Sequence, residues 1–125
     1  MLKEKYPQGV DVVFDPVGGS LTEAALRNIA WSGRFLVIGF ASGDIPKIPL
    51  NLPLLKACQI IGVFWGEFSR REPAEWSRQL GILLQAAKDG HIRPLVSSRF
   101  PLAEAHLALN AVAERRAIGK IVILP

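Results

Sequence analysis

The sequence predicts the α/β class: a three-layer fold with a parallel sheet and flanking helices. Three observations carry that expectation. Val10–Asp15, Arg34–Phe40 and Gln59–Trp65 are short, nearly continuous apolar runs, the pattern of strands buried on both faces. The first two are separated by a helical segment of crossover length, which makes a βαβ unit of right-handed sense. Helix and strand patterns then alternate to the end of the chain as β-α-β-loop-β-α-β-α-β, so at least three strands should run parallel.

Taken in order, Val10 to Asp15 is the first strand, broken by Pro16-Val17-Gly18-Gly19. Ser20 followed by Glu23 has capping-box spacing. It predicts a helix from Leu21 to Trp31 with Ala24, Ala25, Leu26 and Ile29 inward and Gly33 as its stop. The second strand spans Arg34 to Phe40, and Ala41-Ser42-Gly43-Asp44 is a loop. Pro46, Pro49 and Pro53 make the next stretch irregular, with one short helical turn near Leu54 to Ala57. The third strand is Gln59 to Trp65. Pro73 and Glu75 suit the start of a long helix, on which Trp76, Leu80, Leu83, Leu84 and Ala87 form one apolar stripe; Gly90 ends it. Val96 to Phe100 is extended. Ala103 to Arg115 is a helix with Leu102, Ala105, Leu109 and Val112 on one side. Gly119 closes it, and Lys120 to Leu124 is the final strand.

A chain of 125 residues fits a single domain, 1–125. Half of the residues are hydrophobic and 21% are charged, so the composition is globular. The net charge of +4 is scattered rather than gathered into a stripe, which argues against a nucleic-acid surface. One cysteine, Cys58, excludes an internal disulfide and a cysteine-rich metal site, and it points to a reduced, cytoplasmic setting. Met1 to Gln8 lacks the apolar run of a secretory leader. The apolar runs are too short to span a membrane.

The chemistry-bearing residues are few. Val17-Gly18-Gly19-Ser20 is either an anion-holding helix N-terminus or a tight strand-to-helix turn. Asp15 is either a turn former or a polar group at the crevice outside the strand ends. Arg116 is either an exposed cation at a helix end or a phosphate contact. His91 and His106 read as surface or structural residues, and Cys58 as an inert thiol. No Ser-His-Asp or Cys-His set and no acid/base couple stands out, so no catalytic or metal-ligating residue is assigned. The motifs GxGxxG and GxxxxGK[ST] are both absent from the sequence.

The order of motifs is nonetheless specific. Gly9-Val10-Asp11-Val12-Val13-Phe14-Asp15-Pro16-Val17-Gly18-Gly19 comes first, followed by Gly33-Arg34-Phe35-Leu36-Val37-Ile38-Gly39-Phe40-Ala41-Ser42-Gly43. Ile61-Gly62-Val63-Phe64-Trp65-Gly66 is third, and Arg116-Ala117-Ile118-Gly119-Lys120-Ile121-Val122 closes the series. With these motifs the chain resembles the medium-chain dehydrogenase/reductase superfamily, in its zinc-independent quinone-oxidoreductase branch. The resemblance implies a partial Rossmann-type sheet: the C-terminal part of an NAD(P)-binding domain with its closing helix and strand. In that family a catalytic domain and a glycine-rich loop come first, and the sequence here corresponds to the portion C-terminal to them. The implied activity is hydride transfer from NADPH to a quinone or an activated enone or enal. The resemblance places Val17, Gly18, Gly39, Phe40 and Ala41 beside the cofactor, with Phe64, Trp65 and Gly66 flanking the nicotinamide. Arg116, Gly119 and Lys120 approach it from the C-terminal segment. The choice between NADP and NAD lies in residues outside these motifs. Without the glycine-rich loop, NADPH should bind this chain poorly and activity alone should fail.

The resemblance also implies a homodimer, joined across a two-fold axis through Gln59 to Trp65. Two other readings compete: a non-catalytic α/β binding or interaction module with the same half-sheet, and a phosphate-binding flavodoxin-like domain, in which the Arg116 to Lys120 pattern has no place.

Overall fold

The computed structural model describes residues 2–125 and resolves into two compact units, Met1–Pro73 and Ala74–Pro125. The class is α/β with parallel sheets and flanking helices, as the sequence predicts.

The first unit opens with a short helix α1 (Leu2–Lys5) and strand β1 (Val10–Asp15). Helix α2 (Leu21–Arg27), strand β2 (Ile29–Val37), helix α3 (Asn51–Lys56), strand β3 (Gln59–Gly62) and helix α4 (Trp65–Arg71) come next. The strands lie in the order β1-β2-β3, all parallel. Asp15 sits opposite Val37, and Val37 sits opposite Gly62. The three carboxyl ends are therefore level with one another, which is what brings their loops together.

The first helix is shorter than its apolar spacing suggests. It ends at Arg27, not Trp31, because the Asn28 side-chain amide donates to the Ala24 carbonyl at 2.7 Å. The Asn28 carbonyl meanwhile accepts the Val10 N–H at 3.0 Å and starts the sheet. β2 thus begins at Ile29, and Gly33 lies inside a slip of register: Val10 faces Ile29 but Val12 faces Arg34. Ser32 takes a left-handed conformation there, at φ 58°. Ser20 makes no side-chain capping bond, and Glu23 instead reaches forward to Arg27 at 2.6 Å. The capping box is not formed.

The helical turn expected among the prolines is the full helix α3, with Pro53 in its first turn, where a missing N–H costs little. β3 stops at Gly62. Phe64 and Trp65 are not strand residues: Phe64 caps α4, and Trp65 is its first residue. α4 has no buried residue. Its local support comes from Glu67, which pairs with both Arg70 and Arg71.

Leu26, Ile29, Phe35 and Leu52 form the buried cluster of this unit, with Val13, Ala25, Val37, Ile48 and Cys58 packed on it. Each fully buried side chain of this size contributes roughly 1.5–3 kcal/mol. The Cys58 thiol is partly buried against that cluster, in keeping with a structural role.

The second unit contains helix α5 (Pro73–Lys88, less its first residue), strand β4 (Val96–Pro101), a single 3-10 turn at Leu102–Glu104, helix α6 (Ala105–Ala113) and strand β5 (Lys120–Leu124). β4 and β5 pair in parallel, with Val96 opposite Lys120 and Phe100 opposite Ile123. α6 covers this pair with Ala108 and Ala111, which are buried. The expected face differs: Leu109 and Val112 point outward and are exposed. Two alanines three residues apart let the helix approach the strands closely, so small residues rather than large ones make the contact. α5 begins at Pro73 with Glu75 in its first turn, as expected, but none of its residues is buried. Its stripe is open, with Leu83 and Leu84 exposed.

Candidate functional site

The site is built where β1, β2 and β3 end. Asp15 is the last residue of β1 and organises the turn beyond it. Its Oδ1 accepts the backbone N–H groups of Val17 and Gly18, each at 2.9 Å. Its Oδ2 accepts the hydroxyl of Thr22 at 2.8 Å. Burial acts to raise the carboxyl's pKa. The bonds from Gly18, Val17 and Thr22 outweigh it and hold the group below the ordinary carboxylate value. Of the two readings of Asp15, the structure shows the turn former: its carboxylate is engaged by the turn and the first turn of α2.

The main chain then zips two loops together. The Asp15 carbonyl accepts the Ile38 N–H at 2.9 Å. Ala41 donates to the Pro16 carbonyl at 3.1 Å, Ser42 to the Val17 carbonyl at 3.0 Å, and Gly19 to the Asp44 carbonyl at 3.1 Å. Gly18 is buried at φ 68°, a region that glycine enters without strain. A methyl group at that position would lie 2.8 Å from Cδ1 of Phe40. The Phe40 ring thus rests on bare backbone. With both its neighbouring amides committed to Asp15, the Val17–Ser20 segment serves as a tight turn in this structure.

Val37, Ile38, Gly39, Phe40, Gly62, Val63 and Phe64 enclose an open cleft of about 390 Å³. Every one of these residues is apolar or glycine. At Gly62 a methyl group would meet nothing within 4 Å, so the wall there is free for a ligand. A flat, uncharged ring fits walls of this chemistry. A second cavity of about 110 Å³ is bounded by Asp15, Thr22, Phe35, Val37, Phe40, Ile45, Pro46 and Ile48.

Of the residues singled out from the sequence, Val17, Gly18, Gly39, Phe40, Ala41 and Phe64 fall in these loops and walls. Trp65 stands next to the cleft at the start of α4, half-exposed, its ring stacked on Phe68 with centroids 5.4 Å apart. Gly66 comes after it in the same turn. Arg116, Gly119 and Lys120 belong to the second unit. The Arg116 guanidinium is paired with Glu114 at 2.6 Å on an exposed surface. Gly119 turns the chain into β5 at φ 78°, and the Lys120 N–H donates to the Leu95 carbonyl at 2.7 Å.

Sequence reasoning missed Thr22, which is buried at 3% exposure and completes the Asp15 cluster. It also missed Ile45, Pro46 and Ile48, whose loop has no periodicity to read. Thr22 carried one usable signal: it stands seven residues after Asp15, in the first turn of a helix entered through two glycines.

A parallel sheet with an apolar cleft at the carboxyl ends of its strands is the arrangement of the nucleotide-binding α/β class. The chain belongs to the zinc-binding dehydrogenase family, whose model matches residues 2–123; it corresponds to the C-terminal cofactor-domain portion of a medium-chain dehydrogenase/reductase. It is 39% identical over 115 residues to quinone oxidoreductase-like protein 2 of Bos taurus, covering 92% of this chain and 33% of that protein. It is 32% identical over 138 residues to prostaglandin reductase-3 of Mus musculus, covering 98% of this chain and 36% of that protein. Among solved structures, a mycobacterial protein complexed with NADPH superposes with a TM-score of 0.83 at 28% identity, covering 99% of this chain and 38% of the other. A mycobacterial quinone oxidoreductase superposes at 0.80, also with 28% identity and the same coverage. The chain thus spans about a third of the length of these relatives.

The family carries zinc in its name. Among the described residues no three His, Cys, Asp or Glu side chains gather as metal ligands, so the donors present here do not fit a zinc ion. No described helix is long and apolar enough to cross a membrane.

Proposed function

We propose that this chain supplies the nicotinamide-side wall of an NADPH-dependent oxidoreductase that passes hydride to a quinone or to an activated enone or enal. The observation that carries the proposal is the cleft of Val37 to Phe40 and Gly62 to Phe64, apolar throughout and placed at the level ends of three parallel strands. The cofactor, when bound, supplies the hydride. The residues here do the rest. Gly39 and Gly62 leave room for a ring. Phe40 and Phe64 exclude water from it. Val17, Gly18 and Ala41 belong to the hydrogen-bonded loops that fix the cleft's rim. Phe64, Trp65 and Gly66 flank the nicotinamide. The chain works as part of a longer protein that brings the glycine-rich loop and the catalytic domain. The relatives' length and their oxidoreductase names support this reading. The same protein pairs with a second copy along the free edge of β3.

The test is turnover by the whole protein. NADPH oxidation is monitored by absorbance with p-benzoquinone and with a simple enone as acceptors. Acceptor-dependent oxidation is expected, and its absence with both acceptors would leave only the non-catalytic reading.

A further inference from the structure

The two cavities of the first unit share two walls, Val37 and Phe40. On one side is the open cleft of about 390 Å³. On the other is the smaller, partly open space of about 110 Å³, bounded by Asp15, Thr22, Phe35, Ile45, Pro46 and Ile48. Val37 is held in the sheet between β1 and β3. Phe40 is past the end of β2, so only its ring is adjustable.

Three features define that ring. It is 40% exposed, so part of it faces solvent. It lies against Gly18, where even one added carbon would come within 2.8 Å. Its backbone, by contrast, is fixed: the Phe40 carbonyl accepts the Gly43 N–H at 2.9 Å, and the Ala41 N–H is committed to Pro16 at 3.1 Å. A phenyl ring makes no hydrogen bond to lose, so turning it to another staggered position costs only contacts.

The smaller cavity has a definite chemistry. Asp15 accepts from Val17, Gly18 and Thr22, so its carboxylate is directed at the turn and at α2. What remains is the hydrocarbon of Phe35, Ile45, Pro46 and Ile48. An apolar cavity of roughly 150 Å³ takes benzene. A space smaller than that suits a short branched alkyl group rather than a ring.

We propose that Phe40 is a specificity-determining residue. Seated on Gly18, its ring shuts the smaller cavity off from the cleft and restricts the acceptor to flat molecules without a bulky branch. Removing the ring joins the two spaces, and the smaller one then receives an alkyl branch. This rests on the oxidoreductase reading above.

The test compares Phe40→Ala and Phe40→Leu with the parent, in the whole protein. Turnover is measured with methyl-p-benzoquinone and tert-butyl-p-benzoquinone. Phe40→Ala should raise the tert-butyl to methyl ratio of kcat/KM by about tenfold, the scale at which an apolar pocket discriminates alkyl groups, with a smaller rise in Phe40→Leu. A ratio that stays within about twofold in the folded variants overturns the proposal. A second measurement needs no turnover: the side-chain methyl resonances of Ile45 and Ile48 are titrated with tert-butylhydroquinone. They should shift in Phe40→Ala and not in the parent. Resonances that do not move in the variant overturn the proposal whatever the kinetics show. Resonances that move while no form turns over uphold the role of Phe40 and remove the oxidoreductase reading instead. If Phe40→Ala does not fold, Phe40→Leu decides by the same two measurements.

Discussion

Thr22, in the first turn of α2, donates its hydroxyl to Oδ2 of Asp15, the last residue of β1, across 2.8 Å. The bond closes a small ring of chain. Strand, turn and helix are tied at one carboxylate, and both loops at the cleft hang from that knot.

Replacing Thr22 with Val therefore leaves the shape and removes the bond. A hydrogen bond to a charged group is worth about 1.5–3 kcal/mol, so Thr22→Val should lower the urea-derived unfolding free energy by that order. Thr22→Ser should recover most of the loss. Equal stability of the valine and serine variants would show that the hydroxyl contributes nothing.

The same carboxylate sets an acid limb. Its folded pKa lies below the ordinary value of about 3.9. The stability it contributes is complete above that value and is lost as pH falls through the lower, folded pKa. Asp15→Asn should flatten stability against pH below about pH 4, while leaving the slope from pH 5 to pH 7 unchanged. Urea melts across that range check it.

Glu75 offers a second, independent titration. The hydrogen bond from Arg78 is the main cause that holds its carboxyl down to about 2, with Gln79 assisting. Carbon-detected NMR should find its midpoint near that value. Arg78→Ala should return it toward about 4.3. Because the pair is exposed, the change in global stability should be small.

Gly119 and Gly43 separate two costs that are usually confounded. Both are left-handed, at φ 78° and 83°. A methyl group at Gly43 would meet nothing within 4 Å, whereas one at Gly119 would lie 2.5 Å from the Leu95 carbonyl oxygen. Gly43→Ala should cost about 1 kcal/mol from backbone strain alone. Gly119→Ala should cost more, since the clash is with backbone that β4 and β5 hold in place. Thermal melts of the two variants give the difference directly.

The outer edge of β3 bears on assembly. Ile60 is 40% exposed and Ile61 is half-buried, on a strand with a neighbour on one side only. If two copies pair along that edge, light scattering on the whole protein should report a dimer, and Ile61→Lys should yield monomer or insoluble material. A parent protein that is monomeric at tens of micromolar refutes the pairing.

The strand order was legible because Val10–Phe14, Phe35–Val37 and Ile60–Ile61 are short runs rich in β-branched and aromatic residues, separated by helical segments. Burial on both faces, which such runs also suggest, is not found in β1 or β3, where Phe14 is 65% and Ile60 40% exposed. α5 was legible because Pro73, Glu75 and an unbroken helical stripe agree. The start of β2 was not. Gly33 looks like a helix stop, but the decision falls to Asn28, whose amide caps α2 while its carbonyl pairs with Val10. α4 was hidden because β3 and α4 read as one apolar run through Trp65, and the helix is supported by Glu67 and its arginines rather than by a buried face. At the site, the glycines and aromatics were visible as types. The Asp15–Thr22 bond was not, because it joins residues whose proximity depends on the turn between them.

Between the Val10–Ile29 pair and the Val12–Arg34 pair, one residue of β1 stands opposite four of β2. That surplus is a slack in the thread. Trp31 and Ser32 are exposed there, so a residue inserted between them should leave Asp15 opposite Val37 further along. Changes of length on the amino side of the sheet are absorbed before they reach the cleft.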